Sequence, residues 1–429
     1  MTMKHFHCET SRRNFLRRAA SQFLGVSFLS SWPNTEGCAA EEIKVLPARG
    51  TARRLIYLYL SGGLSHLDTF DAKANREVMG PVAPRPTDVP GLTFTQNVPL
   101  LAERVEHLSV IHSMQSTQGA HPQGNYYMHT SYTPENSITH PAMGGWLANQ
   151  RSGENPTLPN NVLISPASRH PGAGFLESRF SPLTMTDPAG GLRNSKSTID
   201  EVAFTRERQM SEELDAMFTA RYNQKNVRAY NDMYRDAVRL MDSSDVVAFD
   251  LSNEPSSTRA RYGSDLFGQG CLVARRLAER DVAFVEVNDT GWDTHTQNFP
   301  RVKARGRILD QAMSALIDDL STSGILDETL VVLATEFGRT PEINVNDGRD
   351  HNPTAFTCML AGGGVVGGRV HGRSDDRGAC VDESPVTIPD FNATIAYALG
   401  LPLERKFESP SKRSFQIADN GEPVLSLFS

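Results

Sequence analysis

Short runs of apolar residues alternate along this chain with longer segments in which apolar residues recur every three or four positions. The short runs are rich in β-branched residues and predict strands buried on both faces of a sheet. The longer segments predict amphipathic helices. The predicted strands are 55–60, 107–114, 161–164, 282–287, 330–334 and 355–360. The predicted helices are 143–150, two long helices between 198 and 242, 265–280, 299–320 and 388–399.

Strands that alternate with helices of ten to twenty residues predict a three-layer α/β domain with a mostly parallel sheet. We expect this domain to occupy residues 41–429, with a helical insertion at about 198–245. The glycine-rich segment 367–372 predicts a hairpin, and 116–132 predicts a loop.

Composition fits a globular protein. The chain has 429 residues, of which 22% are charged and 39% hydrophobic. That is enough apolar material for a large core, so disorder over the whole chain is excluded.

Residues 1–40 form a separate segment and predict a twin-arginine signal peptide. Arg12 and Arg13 precede Phe15 and Leu16, and a modest apolar stretch then leads to a small-residue cleavage site near Ala40. The stretch is too short and too rich in Ser and Gly to span a bilayer permanently. We therefore expect a periplasmic or extracellular protein, exported folded, that contacts the membrane only during export. A basic tail, or a lipid anchor on Cys38, is the alternative.

Charge and cysteine content narrow the function further. Removing residues 1–40 would take away a net charge of +3, from one lysine and four arginines against two glutamates. The mature chain would then carry about −10, against −7 for the whole sequence. An acidic exported domain argues against nucleic acid as a partner. Only Cys271, Cys358 and Cys380 would remain, which excludes a cysteine metal cluster.

Histidines and carboxylates follow four of the predicted strands. Because ligands bind beyond the carboxyl ends of strands in open α/β sheets, we expect these side chains to form a site. Imidazole and carboxylate together suit zinc, manganese or iron, and their number would suffice for two divalent ions. The candidate metal ligands are His66, Asp68, His121, Asp293, His295, Glu336, Asp350 and His351.

Such a site would hydrolyse an anionic ester. Arg339 and Arg349 are the candidate catalytic residues, since a guanidinium can hold phosphate or sulfate oxygens through two hydrogen bonds. The alternative is that these residues have purely structural roles. The charged segments would then be surface loops, Asp68 or Asp71 would cap a helix, and single histidines would be hydrogen-bonded loop residues. His121 and His129 fall in the same predicted loop, and we expect one of them in the site.

Five motifs carry a family resemblance: SGGLSHLDTFD, GWDTH, TEFGRTP, GRDHNP and AGGGVVGGRVHG. They resemble the domain-of-unknown-function 1501 family of exported bacterial proteins, which is similar to the alkaline phosphatase and sulfatase superfamily. The likeness covers residues 50–402. It implies an alkaline-phosphatase-like α/β fold, and it does not by itself imply an activity.

The sequence departs from the superfamily's pattern at its site. Ser61-Gly62-Gly63 stands where the superfamily has a ligand Asp, so Asp68 would have to serve instead. Glu336 would replace the Asp of an Asp-His-Gly motif, with Asp350 and His351 supplying the imidazole. Asp293 and His295 match an Asp and a His of the superfamily. No Cys-x-Pro-x-Arg sulfatase signature occurs, and no single nucleophile stands out in 116–121.

Two functions follow from these observations. The first is an exported metal-dependent hydrolase that acts on phosphate or sulfate esters, either small molecules or groups on a polysaccharide. The second is a non-catalytic binding or structural protein of the envelope that retains the fold. The missing nucleophile motivates the second reading, because a fold does not determine a function.

Overall fold

The computed structural model describes residues 51–151, 157–165, 169–193, 195, 197, 199–222 and 225–428, and the predicted signal segment lies outside them. The strands, labelled β1 to β17, are Arg54–Leu60, Pro84–Pro86, Thr93–Thr95, Leu108–Gln115, Asn161–Ile164, Leu183–Met185, Phe284–Asp289, Thr329–Ala334, Gly338–Arg339, His351–Asn352, Phe356–Ala361, Arg369–His371, Arg373–Ser374, Val381–Glu383, Val386–Thr387, Lys406–Glu408 and Ser414–Gln416. The α-helices, labelled α1 to α10, are Arg76–Met79, Pro99–Ala102, His121–Thr130, Met143–Gln150, Glu201–Arg221, Lys225–Asp242, Ser256–Tyr262, Leu266–Ala278, Asn298–Thr322 and Ile388–Ala398.

A nine-stranded sheet runs through the middle of the described chain. Its order is β12-β4-β11-β8-β1-β7-β5-β6, and β15 also pairs with β4. Strand β11 is antiparallel to both neighbours, whereas the other pairings are parallel. The carboxyl ends of β1, β4, β7 and β8 therefore lie at one edge, where the chain also enters β11. The prediction of a mostly parallel sheet is confirmed.

Hydrophobic cores cover both faces of the sheet. Successive side chains of a strand point to opposite faces, so each strand contributes to both cores. In β1, Ile56, Leu58 and Leu60 belong to one hydrophobic core, and Leu55, Tyr57 and Tyr59 belong to another. Helices α8 and α9 contribute to the first core, and α4 and α10 contribute to the second. These are the three predicted layers.

Local sequence signals define where several helices begin. Thr387 accepts the backbone N–H of Asp390, whose carboxylate in turn accepts the N–H of Thr387, so a capping box starts α10. Asp265 likewise caps α8 by accepting the N–H of Gly268. The helical content of segment 198–245 is present as α5 and α6, whereas the domain boundaries stay a prediction.

Two local predictions are wrong. Segment 367–372 is not a hairpin, since β12 pairs in parallel with β4. Segment 121–130 is helix α3 rather than a loop, because Pro122 occupies its first turn and Ser131 ends it in a left-handed conformation. None of the helices in the described residues is long and apolar enough to cross a membrane.

Candidate metal centre

Four of the predicted ligands meet at the carboxyl edge of the sheet. His121 is the first residue of α3, directly after the loop that follows β4. Asp293 and His295 lie in the loop after β7, and His351 begins β10. Strand β10 pairs with β9, so His351 stands opposite Arg339 in the register. Three separate chain segments thus deliver the cluster.

The three imidazoles surround the carboxylate of Asp293 through their Nε2 atoms. Asp293 Oδ2 lies 3.4 Å from His121 Nε2, and Asp293 Oδ1 lies 3.2 Å from His295 Nε2 and 3.6 Å from His351 Nε2. His295 Nε2 and His351 Nε2 are 2.9 Å apart. Two imidazole nitrogens this close need a proton or a cation between them.

The contacts of Nδ1, the ring nitrogen that faces away from Asp293, indicate which tautomer each histidine adopts. His121 Nδ1 is 2.7 Å from Glu336 Oε1, His295 Nδ1 is 2.8 Å from Asp350 Oδ1, and His351 Nδ1 is 2.8 Å from the carbonyl oxygen of Gly119. These oxygens can only accept, so each Nδ1 carries the proton and donates it. In the neutral form of each ring, Nε2 then presents a lone pair toward Asp293. His121 Nε2 is buried and has no hydrogen-bond partner.

This geometry fits one transition-metal ion. Ligand atoms about 2.0–2.2 Å from a tetrahedral ion stand roughly 3.4 Å from one another, which is close to the separations around Asp293. An Nδ1–H that donates to a carboxylate or backbone carbonyl is the usual support of a metal-binding histidine. His121, Asp293 and His351 have ligand atoms that all lie within 4.8 Å of one another. His295 adds a fourth donor on the exposed side.

The charge states of Asp293 and His351 suit a metal, whereas the hydrogen bond and charge of Glu336 raise the pKa of His121. Burial would raise the pKa of Asp293, but the hydrogen bond and charge of Arg339, with the nearby histidines, hold that pKa at about 2. Burial lowers the pKa of His351 below its usual value. The carboxylate is therefore ionised and this imidazole neutral at neutral pH, the forms that ligate metals.

Glu336 and Asp350 stand behind the histidines rather than around the centre. Glu336 is fully buried; its Oε1 accepts from His121 and from Gly62 N at 2.9 Å, and its Oε2 accepts from the Tyr59 hydroxyl at 3.2 Å. Gly62 has φ +118° and its Cβ would stand 2.4 Å from Asp293 N, so only glycine fits there. Both carboxylates thus contact candidate ligands from behind, whereas the sequence predicted that they would bind the metal directly.

The two candidate anion-binding arginines are fully buried and donate to internal acceptors. Arg339 donates to the carbonyls of Gly62, Gly63, Trp292 and Arg349 and to Asp293 Oδ1 at 2.6 Å. Arg349 donates to both oxygens of Asp68 and to the carbonyls of Val78, Thr340 and Pro341. Neither guanidinium faces solvent, so the expectation that they hold substrate oxygens does not agree with their placement.

His66 and Asp68 lie apart from the cluster. Asp68 is completely buried; it pairs with Arg349 at 2.8 and 3.0 Å and accepts Asn298 Nδ2 at 2.8 Å. His66 is also completely buried, with Nε2 2.9 Å from the Gly378 carbonyl. The turn after β1 folds inward, so the motif that suggested metal ligands instead holds loops together.

A second titratable cluster escaped the sequence analysis. His129 and His170 contact the buried Glu286 in the middle of β7. One signal could have found it: Glu286 interrupts the apolar run VAFVEV, and a buried charge needs partners.

Comparison with known proteins gives a family and distant structural neighbours. The family model described as "Protein of unknown function (DUF1501)" matches residues 52–428, which confirms the resemblance carried by the motifs. No curated protein matches the chain. The structural neighbours are members of the alkaline phosphatase and sulfatase superfamily.

Three solved structures show how low the sequence identity and the TM-score are. The PsFucS1 sulfatase from Pseudoalteromonas sp. is 11% identical, with a TM-score of 0.42 over 89% of this chain and 72% of that chain. An alkaline phosphatase superfamily protein from Vibrio parahaemolyticus is 10% identical, with a TM-score of 0.40 over 89% and 73%. Alkaline phosphatase from the Antarctic bacterium TAB5 is 12% identical, with a TM-score of 0.34 over 73% and 92%. At such values, the chemistry of the site has to be argued from this chain's own residues.

We expect Asp68→Asn to destabilise the fold by about 3–5 kcal/mol, because it leaves the buried Arg349 guanidinium without its counter-charge. The metal content of the folded variant should be unchanged, because Asp68 is not in the cluster. Urea unfolding together with elemental analysis checks both points. Loss of metal from a variant that remains folded would return Asp68 to the ligand set.

His66 should make stability depend on pH. Burial lowers its pKa to about 4, against 6.5 in an unfolded chain. Below pH 6.5 the unfolded chain therefore binds a proton that the folded chain does not bind. The contribution of His66 to the free energy of unfolding is therefore complete above pH 6.5. It is lost as the pH falls toward 4, which lowers the free energy of unfolding by up to about 3 kcal/mol.

His66→Gln keeps a donor for the Gly378 carbonyl and removes the titration. The loss of unfolding free energy between pH 7.5 and pH 5, measured by urea denaturation, should be smaller in this variant than in the wild type. Equal losses in the two proteins would show that His66 does not titrate in this way.

Proposed function

The chain belongs to the DUF1501 family, and from that premise we propose that it is an exported metal-dependent hydrolase of phosphate or sulfate esters. One observation carries the proposal. Three imidazole Nε2 lone pairs and the Asp293 carboxylate converge on one point, and each imidazole is oriented by an acceptor behind it. We assign His121, Asp293, His295 and His351 as the ligands of one divalent ion, with zinc, manganese or iron as the candidates.

The cluster is accessible from one side. The side chains of Asp293 and His295 are 47% and 42% exposed, whereas that of Glu336, which contacts His121, is fully buried. A substrate oxygen or water can therefore approach from solvent, while the acceptors of the Nδ1 atoms hold the histidine rings in place. A divalent ion in this site would polarise an ester oxygen and lower the pKa of a bound water.

Charge favours an anionic substrate even though both arginines are engaged elsewhere. Three neutral imidazoles and one carboxylate would leave a divalent ion with one uncompensated positive charge. Arg339 contributes indirectly, because its hydrogen bond keeps Asp293 ionised and fixed. Asp350 is 60% exposed and accepts from Nδ1 of His295, so it orients that ring toward the centre. The substrate would be a small anionic ester or an ester group on a polysaccharide.

The second candidate is a metal-containing binding protein without turnover. The observation that favours it is the burial of Arg339 and Arg349 in internal hydrogen bonds. Neither guanidinium is then placed to neutralise the charge that develops on a transferring phosphoryl or sulfuryl group.

Metal analysis is the first test. The purified wild type should contain about one equivalent of a divalent transition metal, and His351→Ala and His295→Ala should each remove most of it, because each takes away one ligand. Asp310→Asn is the matched control: it alters a buried carboxylate that accepts the N–H groups of Leu100 and Leu101, on another part of the fold. A wild type free of metal, or variants that retain it fully, would contradict the assignment.

Turnover separates the two candidate functions. We expect the metal-loaded protein to hydrolyse an aryl phosphate or an aryl sulfate, and we expect His351→Ala to abolish the reaction. Sulfated and phosphorylated polysaccharides should be assayed by release of the inorganic anion. A protein that keeps its metal, binds such polymers and turns over none of these esters would be the binding protein.

Export is the remaining part of the proposal. Replacing Arg12 and Arg13 with lysine should retain the precursor in the cytoplasm, because a twin-arginine signal is recognised through this pair. Fractionation followed by immunoblotting of the wild type and the double variant measures the effect. Unchanged export of the variant would point to another route.

A further inference from the structure

A second buried cluster lies on the face of the sheet covered by α3. It consists of His129 near the end of α3, His170 from the loop after β5, and Glu286 in the middle of β7. His129 Nε2 is 3.1 Å from Glu286 Oε1, and His170 Nε2 is 3.1 Å from Glu286 Oε2. The carboxylate is fully buried and also accepts Asn288 Nδ2 at 2.9 Å. Nothing in the proposed function uses these residues.

The spacing of this cluster would suit a metal ion, since its ligand atoms lie within 4.8 Å of one another. The hydrogen bonds indicate otherwise. The backbone N–H of Gly172 donates to His170 Nδ1 at 3.0 Å, so that nitrogen carries a lone pair and the ring proton resides on Nε2. A protonated Nε2 has no lone pair for a metal, and instead donates to Glu286.

Both nitrogens of His129 face acceptors. Its Nδ1 lies 2.8 Å from the carbonyl oxygen of Asn125, which can only accept, and its Nε2 faces the Glu286 carboxylate. Burial alone would lower the pKa of His129, but the Glu286 charge and hydrogen bond raise it overall. These contacts describe a buried ion pair between His129 and Glu286, with His170 Nε2 as the second donor to the carboxylate.

This ion pair is connected to the candidate metal centre through one helix and one tyrosine. His121 and His129 lie eight residues apart on α3, about 12 Å along the helix axis. The ring of Tyr59 meets the His129 ring edge-on at 4.4 Å, and its hydroxyl donates to Glu336 Oε2 at 3.2 Å. Glu336 in turn holds His121. Helix α3 is thus fastened at both ends by carboxylates, one from β7 and one that follows β8.

We propose that the His129–Glu286 ion pair positions helix α3 on the sheet and so sets the direction in which His121 Nε2 points. This inference rests on the proposed function, because the consequence of the position is metal binding at His121. The physical reason is that a helix shifts as a rigid body. Releasing one end moves a ligand atom at the other, and metal sites need ligands held to within a fraction of an ångström. A buried ion pair contributes little net stability, but it defines one geometry.

Cobalt(II) titration tests the proposal, because Co²⁺ absorbs visibly according to its ligand geometry. Glu286→Gln should weaken Co²⁺ binding about tenfold, the lower end of the effect of residues that support ligands, and should shift the visible spectrum. His129→Gln should do the same. The double variant, whose two amides can pair without charge, should recover part of the affinity, since the two sites are coupled. Asp310→Asn should melt at a lower temperature with wild-type affinity and spectrum. Its normal binding would show that lost stability alone does not disturb the centre.

Histidine-ring NMR on the metal-free protein makes the test independent of the proposed function. We expect His129 to carry protons on both nitrogens and His170 on Nε2 only, and we expect Glu286→Gln to shift the His121 ring signals. If the wild type bound no Co²⁺, the proposed function would fail. The shifted His121 signals would then still support positioning, and unshifted signals would overturn it.

Two other results would overturn the inference. The first is wild-type Co²⁺ affinity and spectrum in Glu286→Gln. The second is a further metal ion bound at Nε2 of His129 and His170 that disappears in this variant.

Discussion

One buried guanidinium holds the loops of the candidate site together. Arg339 donates to the carbonyls of Gly62 and Gly63 after β1, of Trp292 after β7, and of Arg349 in the β9–β10 connection. Loops buried at a sheet edge carry backbone carbonyls that no strand partner can satisfy. A single rigid fork of five donors satisfies several of them at once. The same group fixes and ionises Asp293, so the architecture of the loops and the charge of the centre depend on one residue.

Carboxylates form the next level of this organisation. Glu336, after β8, accepts hydrogen bonds from the turn after β1, the Tyr59 hydroxyl and His121. Glu286, in β7, contacts His129 and His170. Asp68 pairs with Arg349 and joins the same turn to the β9–β10 connection. Each buried charge has a counter-charge or several donors, as the desolvation cost of an isolated ion requires. The candidate ligands lie at the solvent edge of this framework, and their supporting groups lie beneath it.

Helix α3 joins the two histidine clusters, which have opposite character. At its first turn, His121 Nδ1 contacts Glu336, and its Nε2 faces Asp293 without a hydrogen-bond partner. Near its last turn, His129 has both nitrogens engaged by acceptors. Identical side chains on one helix therefore differ in the contacts of their Nε2 atoms. The difference lies at Nε2: this atom of His129 is 3.1 Å from Glu286 Oε1, whereas that of His121 is 3.4 Å from Asp293 Oδ2 and has no hydrogen-bond partner.

The sequence by itself determined the layered fold, because buried strands and amphipathic helices leave apolar periods that need no long-range information. It also placed Asp293, His295 and His351 near one sheet edge, since residues after parallel strands share that edge. It could not rank the charged residues there. Arg339, Arg349, Asp68 and Glu336 have the composition of a catalytic site, yet all four are buried in internal bonds. Direction and burial of a side chain depend on contacts hundreds of residues apart along the chain, such as Asp68 with Arg349. Only the tertiary structure brings those partners together, so only it separates the residues that face solvent from those that hold them in place.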